Sequence, residues 1–312
     1  MFMKISKSFR SNIFFLCTAA IWGFAFVAQC DAAGKIDTYL LILVRYILGT
    51  AALLPVIFIF ESPKEKQSNC KPPLKLTWGF GAVSGTILFF ASTLQQWGIF
   101  LDPNAGKAGF ITGTYTVLVP IFYFLFFKKK TGINVLIGAI FALVGLYLLS
   151  VQNGFSNISA SDIVLFIGAI FWTFHIISID RFVGSVSPIK FSAVQFLVCG
   201  LWGLLFMFIF SDINISTAIS QISGSITPIL YMGICSSGIA YTCQVLGQRD
   251  ADPTYSAIIL SLESVFAAVG GVLFGIDDAM TVRAYVGCAV IFAGIIVSQI
   301  SFDMIKIKKQ NS

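Results

Sequence analysis

Residues 257–275 read AIILSLESVFAAVGGVLFG, an apolar run with a single carboxylate, Glu263, near its middle. At about 1.5 Å of rise per residue, a helix over this run is long enough to cross a hydrocarbon core about 30 Å thick. An acid held at that depth costs on the order of 2.5–3.5 kcal/mol on insertion scales, so it faces a polar cavity, pairs with a neighbour or carries a proton. Only three glutamates occur in the chain, and the other two, Glu61 and Glu65, stand in a polar connection. Glu263 is the one glutamate set deep in an apolar span, and the rest of the chain is read as its surroundings.

With 57% hydrophobic and 11% charged residues in 312, the chain is too apolar for a water-soluble domain, where charged residues run near about 25%. Ten apolar runs, at 12–30, 38–60, 77–99, 106–127, 133–151, 162–182, 190–210, 226–247, 255–275 and 283–303, predict an all-α membrane protein with ten transmembrane helices. The net charge of +6 sits in the connections between runs and comes with no nucleic-acid motif, so the bilayer is the partner it implies. Alternate connections divide the basic residues unevenly. One side holds Lys4, Lys7, Arg10, Lys64, Lys66, Lys71, Lys75, Lys128, Lys129, Lys130, Arg181, Lys190, Arg249, Lys306, Lys308 and Lys309; the other holds Lys35, Lys107 and Arg283. Both termini are therefore expected in the cytoplasm, in an inner or plasma membrane. The first run follows Lys4, Lys7 and Arg10 without a convincing cleavage site, and reads as a retained span. The seven cysteines form no CxxC pair, so neither a zinc site nor a disulfide framework is expected, and no cofactor is implied. Asn157 and Asn214 head Asn-x-Ser triplets on the side opposite the basic one.

The sequence repeats itself weakly at an offset of 149–150 residues. Trp22 matches Trp172, and Val44-Arg45-Tyr46 matches Val194-Gln195-Phe196. Ala91, Thr93, Gln95 and Gly98 match Ala240, Thr242, Gln244 and Gly247, and Gly138 and Gly145 match Gly287 and Gly294. Two halves follow, 12–151 and 162–303, each with five spans. An odd number of spans sets the second copy upside down relative to the first, the arrangement of secondary transporters with a site near the midplane.

No GxxxxGK[ST] loop, no HExxH and no assembled Ser/His/Asp set is present, so neither ATP hydrolysis nor an intramembrane enzyme is expected. The positive signal is polarity within the spans. Ser237, Tyr241, Gln244 and Gln248 share one face of the eighth span; Ser84, Ser92, Gln95 and Gln96 form a similar stripe on the third. Such groups either hydrogen-bond between helices or line a pathway. The equivalent pair Gln95 and Gln244 is read as substrate-binding, with Tyr241 beside it. Trp22 and Trp172 sit mid-span, away from the headgroup belt, and either pack the core or wall an aromatic cavity. His175 shares a face with Trp172 and is either a packed, hydrogen-bonded side chain or a ligand. Tyr115 is a further candidate contact. Arg45, near the outer half of the second span, either snorkels outward or is the one cation in a span able to partner Glu263 or an anionic substrate. Pro55 and Pro120 are candidate kinks.

Several of these residues together resemble the drug/metabolite transporter superfamily, and within it the ten-helix EamA group. The carriers are Ala20-Ile21-Trp22-Gly23, Arg45-Tyr46, Gln95-Gln96, AGKAGFITG at 105–113, Val119-Pro120 and SLESVFA at 261–267. The family pattern usually has proline after the ninth-span glutamate; Ser264 stands there instead, so no proline marks a kink at that point. The resemblance implies a basket of two inverted halves around a central cavity open to one side at a time. It further implies transport of a small molecule such as an amino acid, a nucleoside or a drug-like compound, with export favoured. The expectation is thus a secondary carrier in which Trp22, Gln95, Tyr115, Trp172, His175, Tyr241, Gln244 and Glu263 contact substrate. Glu263 would hold either a proton or a cationic group of the substrate; the proton reading rests on the rule that burial disfavours the charged form of a carboxylate. The other class in view is a membrane receptor that binds a metabolite without moving it.

Overall fold

The computed structural model describes residues 7–60, 74–150 and 158–299. Lys4, Glu61, Lys64, Glu65, Lys66, Lys71, Asn157, Lys306, Lys308 and Lys309, which entered the reading of topology, lie outside the described residues. Among the described residues every regular element is a helix: α1 (Lys7–Ala32), α2 (Thr38–Phe60), α3 (Leu74–Leu101), α4 (Ala105–Gly113), α5 (Tyr115–Phe127), α6 (Ile133–Ser150), α7 (Ala160–Val183) and α8 (Pro188–Phe210) in the first two thirds of the chain. There follow α9 (Ile215–Gly224), α10 (Ile226–Leu230), a π-helical stretch (Tyr231–Ala240), α11 (Tyr241–Gln248), α12 (Pro253–Leu260), α13 (Glu263–Leu273) and α14 (Val282–Gln299). Eight segments are long and apolar enough to cross a bilayer; two more, Ile133–Leu149 and Val282–Ser298, are apolar but shorter. The molecule is a multi-pass helical membrane protein.

Its surface and interior are arranged for lipid. Phe58, Phe208, Ile140 and Leu273 are exposed, whereas Ser84, Gln95, Gln96, Gln195 and Gln244 are buried. With hydrocarbon as the outer solvent, apolar side chains gain little by facing inward, while polar ones need partners inside. The helix starts are written locally. Asn104 caps α4 by accepting from the Lys107 N–H, Ser159 and Asp162 form a capping box on α7, and Asp252 caps α12 ahead of Pro253. Asn214, head of one Asn-x-Ser triplet, is likewise the cap of α9, accepting from the Thr217 N–H.

Nearly all of the stretch 257–275 lies in one apolar span, Pro253–Leu273, interrupted by a single tightened turn. It is divided between α12 and α13, and Glu263 is the first residue of α13. The division falls at Ser261 and Leu262, with no proline present. The Ser261 hydroxyl donates back to the Ile258 carbonyl at 2.7 Å, and the next amides tighten to i−3 partners, Leu262 N to Ile259 O at 3.1 Å and Ser264 N to Ser261 O at 3.1 Å. The fourth span divides in the same way at Thr114, whose hydroxyl donates to Ile111 O at 2.6 Å. That break is not at Pro120, which lies inside α5, and Pro55 lies inside α2. In both spans a hydroxyl takes a carbonyl of the preceding turn, and the backbone ladder tightens to i−3 bonds there.

The helices α6 and α14 pack closely through the glycines that match across the repeat. A Cβ on Gly145 would meet the Gly287 carbonyl at 2.6 Å, and one on Gly287 would meet the Gly145 carbonyl at 2.6 Å; Gly138 and Gly294 face each other likewise, at 2.7 Å each way.

Ion pairs gather at opposite ends of α1. At one end Lys7 and Arg10 pair with Asp250, at 3.6 Å for Lys7, and Lys129 lies 3.4 Å from Asp252. Lys35 pairs with Asp31 at the other end of α1 (2.5 Å), and Lys107 holds Asp102 (2.9 Å) and Asp162 (2.6 Å). Burial works to raise the Asp250 carboxyl, but the Arg10 hydrogen bond and the Lys7 and Arg10 charges outweigh it and hold the group below its ordinary value. Such a link contributes above the unfolded carboxylate value and is lost as pH falls through the depressed folded one. Asp250→Asn should therefore lower unfolding free energy near neutral pH by about 1 kcal/mol or less, since Lys7 and Arg10 remain largely exposed and salt screens them. Denaturation of both proteins across acid and neutral pH checks this: an equal deficit at strongly acid pH would contradict it.

Candidate binding cavity

The two divided spans, the π-helical stretch and α1 meet around one cavity. Trp22 and Gln29 reach it from α1, Arg45 from α2, Gln95 from α3 and Thr112 from α4. Tyr115 comes from α5, Trp172 from α7, Ser236 from the π-helical stretch, Tyr241 and Gln244 from α11, and Glu263 from α13. The cavity is small: the centre of a water molecule has about 20 Å³ in which to move, little more than the roughly 10–15 Å³ one water needs.

Three aromatic rings form its apolar wall. Trp22 meets Tyr241 edge-on at 4.6 Å and Trp172 at 5.9 Å, and Trp172 lies over Tyr241 at 6.1 Å. Each ring is held by its polar atom. The Trp172 indole N–H donates to Gln95 Oε1 at 2.7 Å, and Gln95 Nε2 donates to Gln29 Oε1 at 3.0 Å. Tyr241 Oη lies 3.1 Å from Tyr46 Oη, which lies 2.5 Å from Ser92 Oγ. Trp22 is tied more loosely, its N–H reaching the Ser236 carbonyl at 3.4 Å.

Other polar groups on the wall are unsatisfied. Neither amide atom of Gln244 has a hydrogen-bond partner, although the residue is fully buried. Tyr115 Oη and Glu263 Oε1 stand side by side without the geometry of a formed hydrogen bond. The carboxyl of Glu263 is placed by its backbone: the Glu263 carbonyl lies against Gly23, 2.7 Å from where a Cβ on that glycine would stand.

Of the residues read from the sequence, Trp22, Arg45, Gln95, Tyr115, Trp172, Tyr241, Gln244 and Glu263 all line this cavity, and His175 does not. His175 is fully buried, its Nε2 3.0 Å from Gln195 Oε1, and its ring meets Trp172 and Tyr241 edge-on at 5.7 and 5.9 Å. Arg45 neither snorkels nor pairs with Glu263. It is 4% exposed, and its guanidinium donates to Ser237 Oγ (3.4 Å) and Ser236 Oγ (3.3 Å) and lies over the Tyr46 ring. The π-helical stretch presents both serines to it, which diverts the cation from the acid. Gln248, on the expected polar face, donates instead to the Ile176 carbonyl, at 3.1 Å. Gln29, Thr112 and Ser236 were not singled out from the sequence. Gln29 was findable, since it stands seven residues after Trp22 on the same helix face. Among the described residues no group of three His, Cys, Asp or Glu is placed to hold a metal ion.

The model of the EamA-like transporter family matches the chain twice, over residues 9–151 and 159–299. An uncharacterized transporter of Archaeoglobus fulgidus is 26% identical over 292 residues, spanning 93% of this chain and 86% of its own. The uncharacterized transporter YyaM of Bacillus subtilis is 20% identical over 273 residues, spanning 86% and 85%. A crystal structure at 17% identity shares the fold, with a TM-score of 0.72 over 93% of this chain and 96% of that one. A family model that fits both halves of a multi-pass chain, and relatives aligned along nearly its whole length, make this chain a member of the EamA-like transporter family, and so a membrane transporter.

Proposed function

We propose that the chain is a secondary carrier that moves a small metabolite across the plasma membrane by alternating access, with export as its direction. Ten spans would form two inverted halves, 12–151 and 162–303, with both termini in the cytoplasm. The observation that carries this reading is the cavity itself, a narrow space set where two interrupted spans and a π-helical stretch meet, with a partnerless Glu263 oxygen and an arginine held only by serine hydroxyls and a tyrosine ring on its wall. Discontinuous helices around a central site are the common construction of carriers built from inverted repeats. The reciprocal glycine contacts of α6 and α14, at matching positions of the two halves, support the same symmetry. Trp22, Gln95, Tyr115, Trp172, Tyr241, Gln244 and Glu263 would meet the substrate, Glu263 also carrying the coupling proton, and His175 would brace the aromatic wall.

Purified protein in sealed vesicles tests the reading. Counterflow of a labelled compound that saturates with concentration is the expected result; saturable binding without flux would make the protein a receptor. Topology is tested separately. In an active chain, cysteines introduced at Lys35 and Lys129 should react with impermeant thiol reagents from opposite faces, Lys129→Cys from the cytoplasmic one. Labelling of both from one face would overturn the inverted arrangement.

A further inference from the structure

The two interrupted spans begin alike, with Asp102-Pro103 before α4 and Asp252-Pro253 at α12, at the offset of the repeat. Each start meets the connection that leaves the interrupted span of the other half. Lys129, just past α5, lies 3.4 Å from Asp252, with both side chains about half exposed. Asp277, just past α13, makes the firmer contact. Its Oδ1 accepts from the Ala105 N–H at 3.0 Å and its Oδ2 from the Gly106 N–H at 2.8 Å, the first two amides of α4. A carboxylate there satisfies two donors that the helix itself leaves free.

The turn that carries Asp277 is shaped for this reach. Gly275 has a left-handed backbone (φ 71°), and the Ile276 and Asp277 amides both return to the Gly271 carbonyl, at 2.8 and 3.0 Å. Gly271 leaves room for the acid, since a Cβ there would overlap Asp277 Oδ2. Ile276, in the same turn, packs against an apolar plug that includes Phe26, Cys30, Ile99, Ala108 and Leu165. Phe26 also lines the central cavity, and Cys30 stands one turn nearer the Lys35 end of α1, so the plug separates the cavity from that end. Beside Asp277 lies a second, polar cleft with about 330 Å³ of room for water centres, walled by Asn104, Lys107 and Asp278 among others. None of the ion pairs among the described residues includes Asp277, and Lys107 is taken by Asp102 and Asp162. Burial pushes the Asp277 carboxyl above its ordinary value, the Gly106 and Ala105 amides work against that, and the like charges of Asp278 and Asp102 add to it. The acid is held by the α4 amides and by no opposite charge, with water at hand when it lets go.

We propose that Asp277 is the latch of the Lys35 end: its grip on the first amides of α4 keeps the cavity shut from that face, and the grip is released when the carrier opens there. This rests on the carrier reading and adds to it a positioning residue that touches no substrate. Alternating access moves one half of a carrier against the other, so a bond between the halves at one end has to break for that end to open. Asp277 makes such a bond, and Ile276 beside it covers the plug, so one turn both locks and seals. The Lys129–Asp252 pair holds the matching place at the opposite end.

The test uses Cys30, buried in the plug, as the reporter. The full chain, with every other cysteine replaced by serine, is placed in sealed vesicles and treated with an impermeant maleimide from each face in turn. Asp277→Ala and Gly271→Ala should each speed labelling from the Lys35 face by about tenfold or more, the scale of losing hydrogen bonds to a charged group, and leave labelling from the other face unchanged. Gly271→Ala displaces the carboxylate and keeps its charge, so its effect reports access and not thiol reactivity. Asp277→Asn, with one acceptor oxygen left, should fall between the parent and Asp277→Ala, and decides alone if neither of the first two variants folds. Asp278→Asn is the control: it removes the neighbouring charge, leaves Asp277 on α4 and should label as the parent does. Unchanged labelling in Asp277→Ala and Gly271→Ala, or a rise equal from both faces, would overturn the latch, as would Asp278→Asn labelling as fast as Asp277→Ala. Counterflow by the parent protein beside any of those results would leave the carrier reading standing. Release confined to the Lys35 face, with saturable binding and no counterflow, would uphold the latch as a closure and overturn the carrier.

Discussion

Glu263→Gln is expected to lower the rate of transport by about tenfold to a hundredfold, the scale of losing a hydrogen bond to a charged group, and to abolish its pH dependence. Glutamine keeps the shape of the side chain and so keeps α13 against α1. What it removes is the negative charge and the ability to take up and release a proton. Because an unpaired buried acid costs folding free energy, the variant should unfold at the same temperature as the wild type or slightly higher. The combination separates the acid's part in transport from any part in packing. Rates measured across a range of external pH, with the thermal midpoint of the same preparation, decide it. A variant with the wild-type rate and wild-type pH profile would remove Glu263 from the transport cycle.

What the sequence made legible was the solvent. Long apolar runs, the placement of basic residues in connections and a lone acid within a span all follow from transfer energies, which depend on composition alone. The cavity-lining side chains were legible for the same reason: a tryptophan, glutamine or arginine inside lipid has few places to point. The path of the backbone was not. Nothing in the composition of 257–275 marks Ser261 as a break, because the break depends on its hydroxyl competing for the Ile258 carbonyl, a choice between two nearly equal hydrogen bonds. The same holds at Thr114, whereas the residue the sequence marks as a candidate kink is Pro120, six residues further on. Arg45 and Glu263 were natural partners by charge, yet the π-helical turn brings Ser236 and Ser237 to the arginine first. His175 shares a helix face with Trp172, but Gln195 of α8 draws it out of the cavity wall. In each case the deciding group comes from a neighbouring turn or helix, which spacing along one helix does not show.

Gly23→Val is expected to eliminate transport and to lower stability by about 1–3 kcal/mol, the scale of overpacking a tight interface. Gly23 packs against α13 with no room for a side chain. A Cβ there would overlap the Cβ of Phe266, stand 2.7 Å from the Glu263 carbonyl oxygen and 2.9 Å from the Ala267 amide nitrogen. Two of those three atoms belong to backbone, so no change of rotamer relieves the clash and the helices must separate. Separation moves Glu263 and also Trp22, the residue before the glycine, so both the acid and the aromatic wall lose their positions. Gly23→Ala should show the same effects in smaller measure, since it adds the first clashing atom alone. Gly79→Ala in α3 is the control: nothing lies within 4 Å of a Cβ at that position, and alanine in a helix is better than glycine by about 1 kcal/mol. Transport by Gly23→Ala at the wild-type rate, with an unchanged thermal midpoint, would show that α1 and α13 yield freely. The acid's position would then be set by something other than this contact.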